Sequence, residues 1–149
     1  MVVAFCGHSD YTEKNGDLRR ALSFLEAYTN GEAADFYLGF YGGFDRFAYS
    51  CAQKYKAMHA ESSIVFVTPY PDPVYLKKRL EGLSYDSVLY PPIEAAPPRV
   101  AIARRNRYVM EQADLLVAYV VYHRGGAYTS LAHARRKGVP IFNLGEGML

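Results

Sequence analysis

Residues 113–129 read Ala-Asp-Leu-Leu-Val-Ala-Tyr-Val-Val-Tyr-His-Arg-Gly-Gly-Ala-Tyr-Thr, and the fold turns on them. Asp114 to Val121 is a nearly unbroken apolar run. Such a run suits a strand buried on both faces of a parallel sheet, because a half-exposed strand would alternate. Gly125-Gly126 breaks the run, and a helix then continues through Leu131 and Ala134. Gly138 closes that helix and Pro140 follows, the order helix ends prefer. Val139 to Asn143 predicts a final strand.

Working outward, the same unit recurs. Val100 to Gln112 predicts a helix just before the decisive strand. Val2 to Cys6 is a short apolar run that stops at Gly7. Asn15-Gly16-Asp17 supplies capping chemistry, Leu18, Leu22 and Leu25 recur at helical spacing, and Asn30-Gly31 ends the helix. Asp35 to Phe40 is short and aromatic-rich, as strands are. Phe44, Phe47, Ala48, Cys51, Tyr55 and Met58 form an apolar stripe at period 3.6, and Ser63 to Thr68 is a clear strand. Asp72 and Pro73 predict an N-cap and first helical residue, with a short helix through Leu76 and Leu80 and a short strand from Ser87 to Tyr90. Pro91-Pro92 and Pro97-Pro98 bracket an extended loop that continues neither ladder nor helix. Alternating strands and helices of these lengths predict an α/β fold, with a mostly parallel sheet covered on both faces.

The 149 residues fit one domain, 1–149. With 50% hydrophobic residues and a net charge of only +2, disorder is not expected and nucleic acid is not argued for by charge. No stretch reaches the ~18 apolar residues of a membrane span, so no membrane partner is expected. The opening Met-Val-Val-Ala-Phe-Cys-Gly-His reads as a strand and not as a signal peptide, lacking a basic flank. Cys6 and Cys51 show no metal-ligand spacing, so neither a metal nor a cofactor is expected, and a cytoplasmic location is the default.

In open parallel sheets the ligand crevice lies beyond the carboxyl ends of the strands. Three expected strand ends carry glycine turns: Gly7-His8-Ser9-Asp10, Gly39 to Asp45 with Gly43 in it, and Arg124-Gly125-Gly126-Ala127-Tyr128-Thr129. Glycine permits close approach to a phosphate, and the free amides of the next helix favour an anion. Ordinary turns use glycine too. His8 either faces the crevice or partners nearby backbone. Ser9 and Asp10 cap their turn or touch a sugar or phosphate. Asp45 either answers a helix dipole or serves as a ribose or acid/base group. Thr129 either donates to a phosphate or bonds to its own backbone.

Arg104-Arg105-Asn106-Arg107 is the most informative polar cluster. Extending the apolar series Ile102–Val109–Ala113 turns Asn106 inward, and extending Ala103–Met110 turns Arg107 inward. A buried arginine must be paired or meet an anionic ligand. Of the fourteen tyrosines, one or two are expected at a ligand, where the ring stacks and the hydroxyl bonds.

The order strand–Gly7-His8-Ser9, Gly39 to Asp45, Arg105-Asn106-Arg107, Ala113 to Tyr119 and Gly125 to Thr129 resembles the SLOG superfamily. That group includes the lonely guy phosphoribohydrolases, the Rossmann-like domain of DNA-processing protein A, and the small YpsA/YoqJ-like proteins, to which the likeness is nearest. The resemblance implies a Rossmann-like three-layer α/β/α domain that binds a nucleotide or nucleotide-derived small molecule. It further implies that Gly125, Gly126 and Thr129 hold phosphate, that Gly7, Gly39, Gly43 and Asp45 line the other turns, and that Arg105 clamps the ligand. Relatives often dimerise, so a homodimer is expected.

Three departures are plain. Phe40 replaces a common second glycine, and Ser9 stands where small relatives often carry arginine. Ser130, Leu131 and Ala132 follow Thr129 where the hydrolases carry a pair of glutamates. The leading expectation is therefore a sensor or ligand-binding module contacting Gly7, His8, Ser9, Gly39, Gly43, Asp45, Arg105, Arg107, Gly125, Gly126 and Thr129. The alternative is an N-glycosidase acting on a nucleoside monophosphate or NAD-type substrate, with Asp45 as the catalytic carboxylate. A protein accessory to single-stranded DNA ranks third.

Overall fold

The computed structural model describes residues 1–146, so the last three residues of the expected domain lie outside it. β1 (Val2–Gly7) leads through α1 (Asp17–Thr29) to β2 (Asp35–Leu38), α2 (Gly43–Met58), β3 (Ser63–Val67), α3 (Pro73–Arg79) and β4 (Ser87–Leu89). A 3-10 turn at Pro98–Val100 opens α4 (Ala101–Gln112), followed by β5 (Leu115–Tyr119), α5 (Gly125–Lys137) and β6 (Ile141–Asn143). The six strands form one sheet in the order β4-β3-β2-β1-β5-β6, with every pair parallel. The result is a Rossmann-like three-layer α/β/α fold.

Both faces of the sheet are buried, which is why its central strands are apolar without alternation. In β1, Val3 and Phe5 join one core with Leu25, Phe44, Phe47 and Tyr55 of α1 and α2. Ala4 and Cys6, the intervening residues, join the opposite core with Val109, Met110, Leu131 and Ala134 of α4 and α5. A change of parity anywhere in β1 would exchange these two layers.

Helix ends follow the local chemistry closely. Asp72 accepts the Val74 N–H at 3.0 Å, and Pro73 is the first residue of α3. Gly138 closes α5 in the left-handed region at φ 82°, its N–H donating to the carbonyls of Ala134 and Arg135. The start of α1 falls where Asn15-Gly16-Asp17 indicates. Gly16 takes the N-cap position without a side-chain cap. Asp17 is instead buried, accepting from the Tyr11 hydroxyl, the Lys14 N–H and Arg20. It ties the loop after β1 to the helix.

β4 is an edge strand and β5 lies beyond β1, four strand spacings or ~19 Å away. The connection from β4 to β5 must cross that distance, but the proline-bracketed stretch in it is not extended as expected: it turns at Ile93–Ala96, where the Ala96 N–H donates to the Ile93 carbonyl at 2.9 Å, and again in the 3-10 turn. Strand order reverses between β1 and β5, which makes their carboxyl ends the switch point of the sheet. Gly7 and Tyr119 sit opposite each other there.

Candidate functional site

A cavity of about 230 Å³ opens at that switch point. Gly7 and Ser9 reach it from the end of β1, Tyr41, Gly42, Phe44 and Asp45 from the start of α2, and Gly126, Ala127 and Ser130 from the start of α5. Arg105 and Asn106 of α4 close it. All three glycine turns therefore meet at one rim. An open cleft lined by His8, Tyr122, Arg124 and Gly125 adjoins it and shares Gly7, Ser9, Gly126 and Ala127.

Arg105 is the buried member of its cluster, only 7% exposed. This corrects the apolar-series reading, which turned Asn106 or Arg107 inward. The inward series of α4 is Ala101–Arg105–Val109, and Ile102 is 45% exposed. Arg105 Nε donates to the Val67 carbonyl at 2.7 Å, and Nη1 donates to Asn106 Oδ1 at 3.0 Å. Nη2 is buried without any partner, alone in this among the described side chains. No carboxylate lies within ion-pair distance of the guanidinium among the described residues. Burial pulls its pKa down and the Asp45 carboxylate opposes that pull. A guanidinium nevertheless stays charged in proteins. A buried charge-bearing donor without an acceptor costs upwards of ~1–3 kcal/mol, so an anion in the cavity would relieve a standing cost.

The glycines have specific steric reasons. A Cβ on Gly7 would lie 2.3 Å from Phe44 Cγ, so this glycine makes room for the Phe44 ring. A Cβ on Gly43 would lie 2.4 Å from the Tyr11 carbonyl oxygen. The Gly43 N–H donates to the Ser9 carbonyl at 2.9 Å, and Gly43 does not line the central cavity. Gly43 thus holds the loop after β1 against α2, and Gly42 lines the cavity instead. Gly125 has φ 88°, a left-handed backbone that favours glycine. A Cβ on Gly126 would meet nothing within 4 Å. Gly125, Gly126 and Ala127 are the first residues of α5, whose N-terminus carries no side-chain cap. Their amides are first-turn donors without intrahelical acceptors.

Asp45 accepts the Tyr41 N–H at 2.8 Å, a carboxylate in the first turn reaching back over its own helix start. Burial raises its carboxyl above the ordinary carboxylate range, while the Tyr41 N–H and the Arg105 charge pull the other way. Cys6, also on the cavity wall, is pushed up to about 12 by burial, so its thiol stays protonated and inert.

His8 resolves towards the backbone. Its Nε2 accepts from the N–H groups of Val121 and Tyr122, at 3.0 and 3.4 Å, which requires the proton on Nδ1. Burial holds its pKa below the ordinary histidine range, against a weaker pull from Asp10. Its ring packs against Tyr122 at 4.6 Å between centroids. Thr129 donates to the Gly125 carbonyl at 3.1 Å, one turn back on its own helix, and is exposed. Arg107 is exposed and pairs with Glu111 at 3.0 Å. Thr129 and Arg107 line a groove between α4 and α5, outside the cavity that holds Arg105. Gly39 lies beside that cavity and touches the guanidinium of Arg105.

Asn106, Ser130 and Tyr41 join the wall without having been singled out as ligand contacts. Ser130 had a readable signal, one helical turn after Gly126 on the same face. Asn106 had one too, since the Ile102–Val109–Ala113 series turns it inward, whereas the place of Tyr41 depends on packing between distant elements.

No group of three or more potential metal-ligating residues occurs among the described residues. No described helix is long and apolar enough to cross a membrane. No protein-family model matches the chain, and no curated protein matches it.

Proposed function

We propose that this chain binds a nucleotide or nucleotide-derived small molecule at the switch point of its sheet, as a SLOG-type sensor or ligand-holding module. One observation carries the reading. A buried Arg105 guanidinium whose Nη2 has no partner lines the same cavity as the uncapped N-terminus of α5. Backbone amides and a fixed guanidinium are the two groups best matched to a phosphate. The enclosed 230 Å³ lies below the ~300 Å³ lower bound of pockets that swallow a whole drug-sized ligand. It suits a phosphate and adjoining sugar, with the base in the open cleft beside Tyr122. A thermal-shift panel of inorganic phosphate, mononucleotides and NAD fragments tests this. A true ligand at 100-fold over Kd stabilises by roughly 2.7 kcal/mol. A flat response to every compound would overturn the proposal.

A second reading, hydrolysis of an N-glycosidic bond, is favoured by Asp45. Its carboxyl shares the cavity with Arg105, and burial biases it towards the protonated form. In that state it would pass a proton to the departing base as water adds to the anomeric carbon. Leu131 is fully buried in the core, so no carboxylate at that point substitutes for the missing glutamates. Release of free base that disappears in Asp45→Asn, with ligand binding retained, is the result this reading requires.

A further inference from the structure

The groove between α4 and α5 is about 450 Å³, larger than the central cavity, and it is basic. Arg104 and Arg107 line it from α4, and His133 and Arg136 line it from α5. No carboxylate lines it among the described residues. Arg107 is partly neutralised by Glu111 outside the groove, whereas Arg104 and Arg136 have no ion pair among the described residues. The groove is continuous with the central cavity, since Asn106, Gly126 and Ser130 belong to both walls. It runs along α5, whose far end is held against the end of α4 by Lys137 Nζ donating to the Ala113 carbonyl at 2.8 Å.

We propose that the ligand carries a second phosphate, separated from the first by a nucleoside, and that this second phosphate lies in the α4–α5 groove against Arg104 and Arg136. The inference rests on the nucleotide reading above and narrows it from mononucleotides to dinucleotides. Spacing supports the narrowing. From Gly126 to Arg136 is ten residues, or ~15 Å along a helix, a span that one nucleoside covers only together with the length of the Arg136 side chain, which lines the same groove as Gly126 and leans towards the helix N-terminus. A pyrophosphate extends only a few ångströms past its first phosphorus and stays inside the cavity. A phosphodiester on the far side of a ribose reaches into the groove. Like charges facing one groove without acids between them repel, and an anion laid among them removes that repulsion.

The test compares inorganic phosphate, adenosine monophosphate and the 5′-phosphorylated dinucleotide pApA by calorimetry, on the full chain and on an Arg104→Gln/Arg136→Gln double variant. Both arginines are exposed, so the variant is expected to fold, and its melting temperature checks that. The expected result is at least tenfold tighter binding of pApA than of the monophosphate. The double variant should lose that gain and leave monophosphate affinity unchanged. The salt dependence of pApA binding should also be steeper than that of the monophosphate, because more charge is paired and screened by salt. Equal affinity for the two, or a gain that survives in the variant, overturns the inference and leaves the nucleotide reading standing. No binding by any of the three overturns the inference, and it overturns the nucleotide reading as well only when the wider panel of mononucleotides and NAD fragments is also silent.

Discussion

The guanidinium of Arg105 occupies the space where Gly39 would carry a side chain. A Cβ on Gly39 would lie 2.9 Å from Nη2 and 3.3 Å from Cζ. The residue ending the β2 turn and the residue closing the cavity are 66 positions apart in sequence and fitted to each other. Arg105 is further tied to the end of β3 through Val67, so two strand ends hold one guanidinium at the rim.

That fit makes a coupled prediction. Gly39→Ala should cost about 1–3 kcal/mol, the usual penalty of overpacking, and should weaken phosphate binding by displacing the guanidinium. In an Arg105→Ala background the same substitution should cost almost nothing. Urea unfolding of the four proteins of this cycle measures the difference, and equal costs in both backgrounds would refute the steric account.

Gly126 supports the opposite kind of variant. Its backbone is not left-handed, and a Cβ there meets open space. Gly126→Asp should keep or raise the stability of the free protein, since a carboxylate in a helix's first turn contributes about 0.3–1 kcal/mol. The same charge would repel any anion at the α5 amides. Retained melting temperature with lost ligand response is expected, and undiminished binding would remove the α5 N-terminus from the site.

His8 predicts an acid-sensitive loop. Its pKa is depressed in the folded chain, so the folded state binds fewer protons than the unfolded state over the window below the ordinary ~6.5. Stability from this group is therefore present above ~6.5 and declines as pH falls through the folded value. Protonated Nε2 can no longer accept the Val121 N–H. Faster hydrogen exchange at Val121 below pH 6.5, abolished in His8→Gln, is the expected signature.

Asp45 predicts the reverse slope. Its folded pKa is raised, so the folded state holds its proton longer and stability from this group falls as pH rises above ~3.9. Asp45→Asn keeps an acceptor for the Tyr41 N–H and removes the charge. The variant should gain stability over the parent at pH 7, and the gain should shrink towards zero at pH 3. Denaturant titrations at the two pH values read it directly.

Local chemistry was legible wherever it was self-contained. The Asp72–Pro73 start of α3, the Gly138 close of α5 and the apolar run of β5 each stand where the residues indicated, because short-range sterics and burial on both faces decide them. The start of α1 also falls within Asn15–Asp17 as read, but the bond from the Tyr11 hydroxyl to Asp17 is a tertiary contact that no local pattern announces.

The candidate site divides the same way. Gly125 and Gly126 are recognisable from their position at a strand-to-helix turn. That Gly7 serves the Phe44 ring, and Gly43 the Ser9–Tyr11 loop, depends on which elements pack together. Periodicity within α4 placed Asn106 or Arg107 inward because alanines, isoleucine and methionine surround the cluster on several sides. The side that faces the sheet follows from the Val67 carbonyl and the space above Gly39, both supplied by other strands.

By itself, then, the amino-acid order determined a parallel α/β sheet, its helix ends and the glycine turns after its strands, since these follow from burial and backbone sterics within a dozen residues. Only the tertiary structure decided that Arg105 is the buried cation and that His8 serves the backbone. Those outcomes depend on contacts between strands and helices far apart in the chain, and no short window of sequence contains both partners.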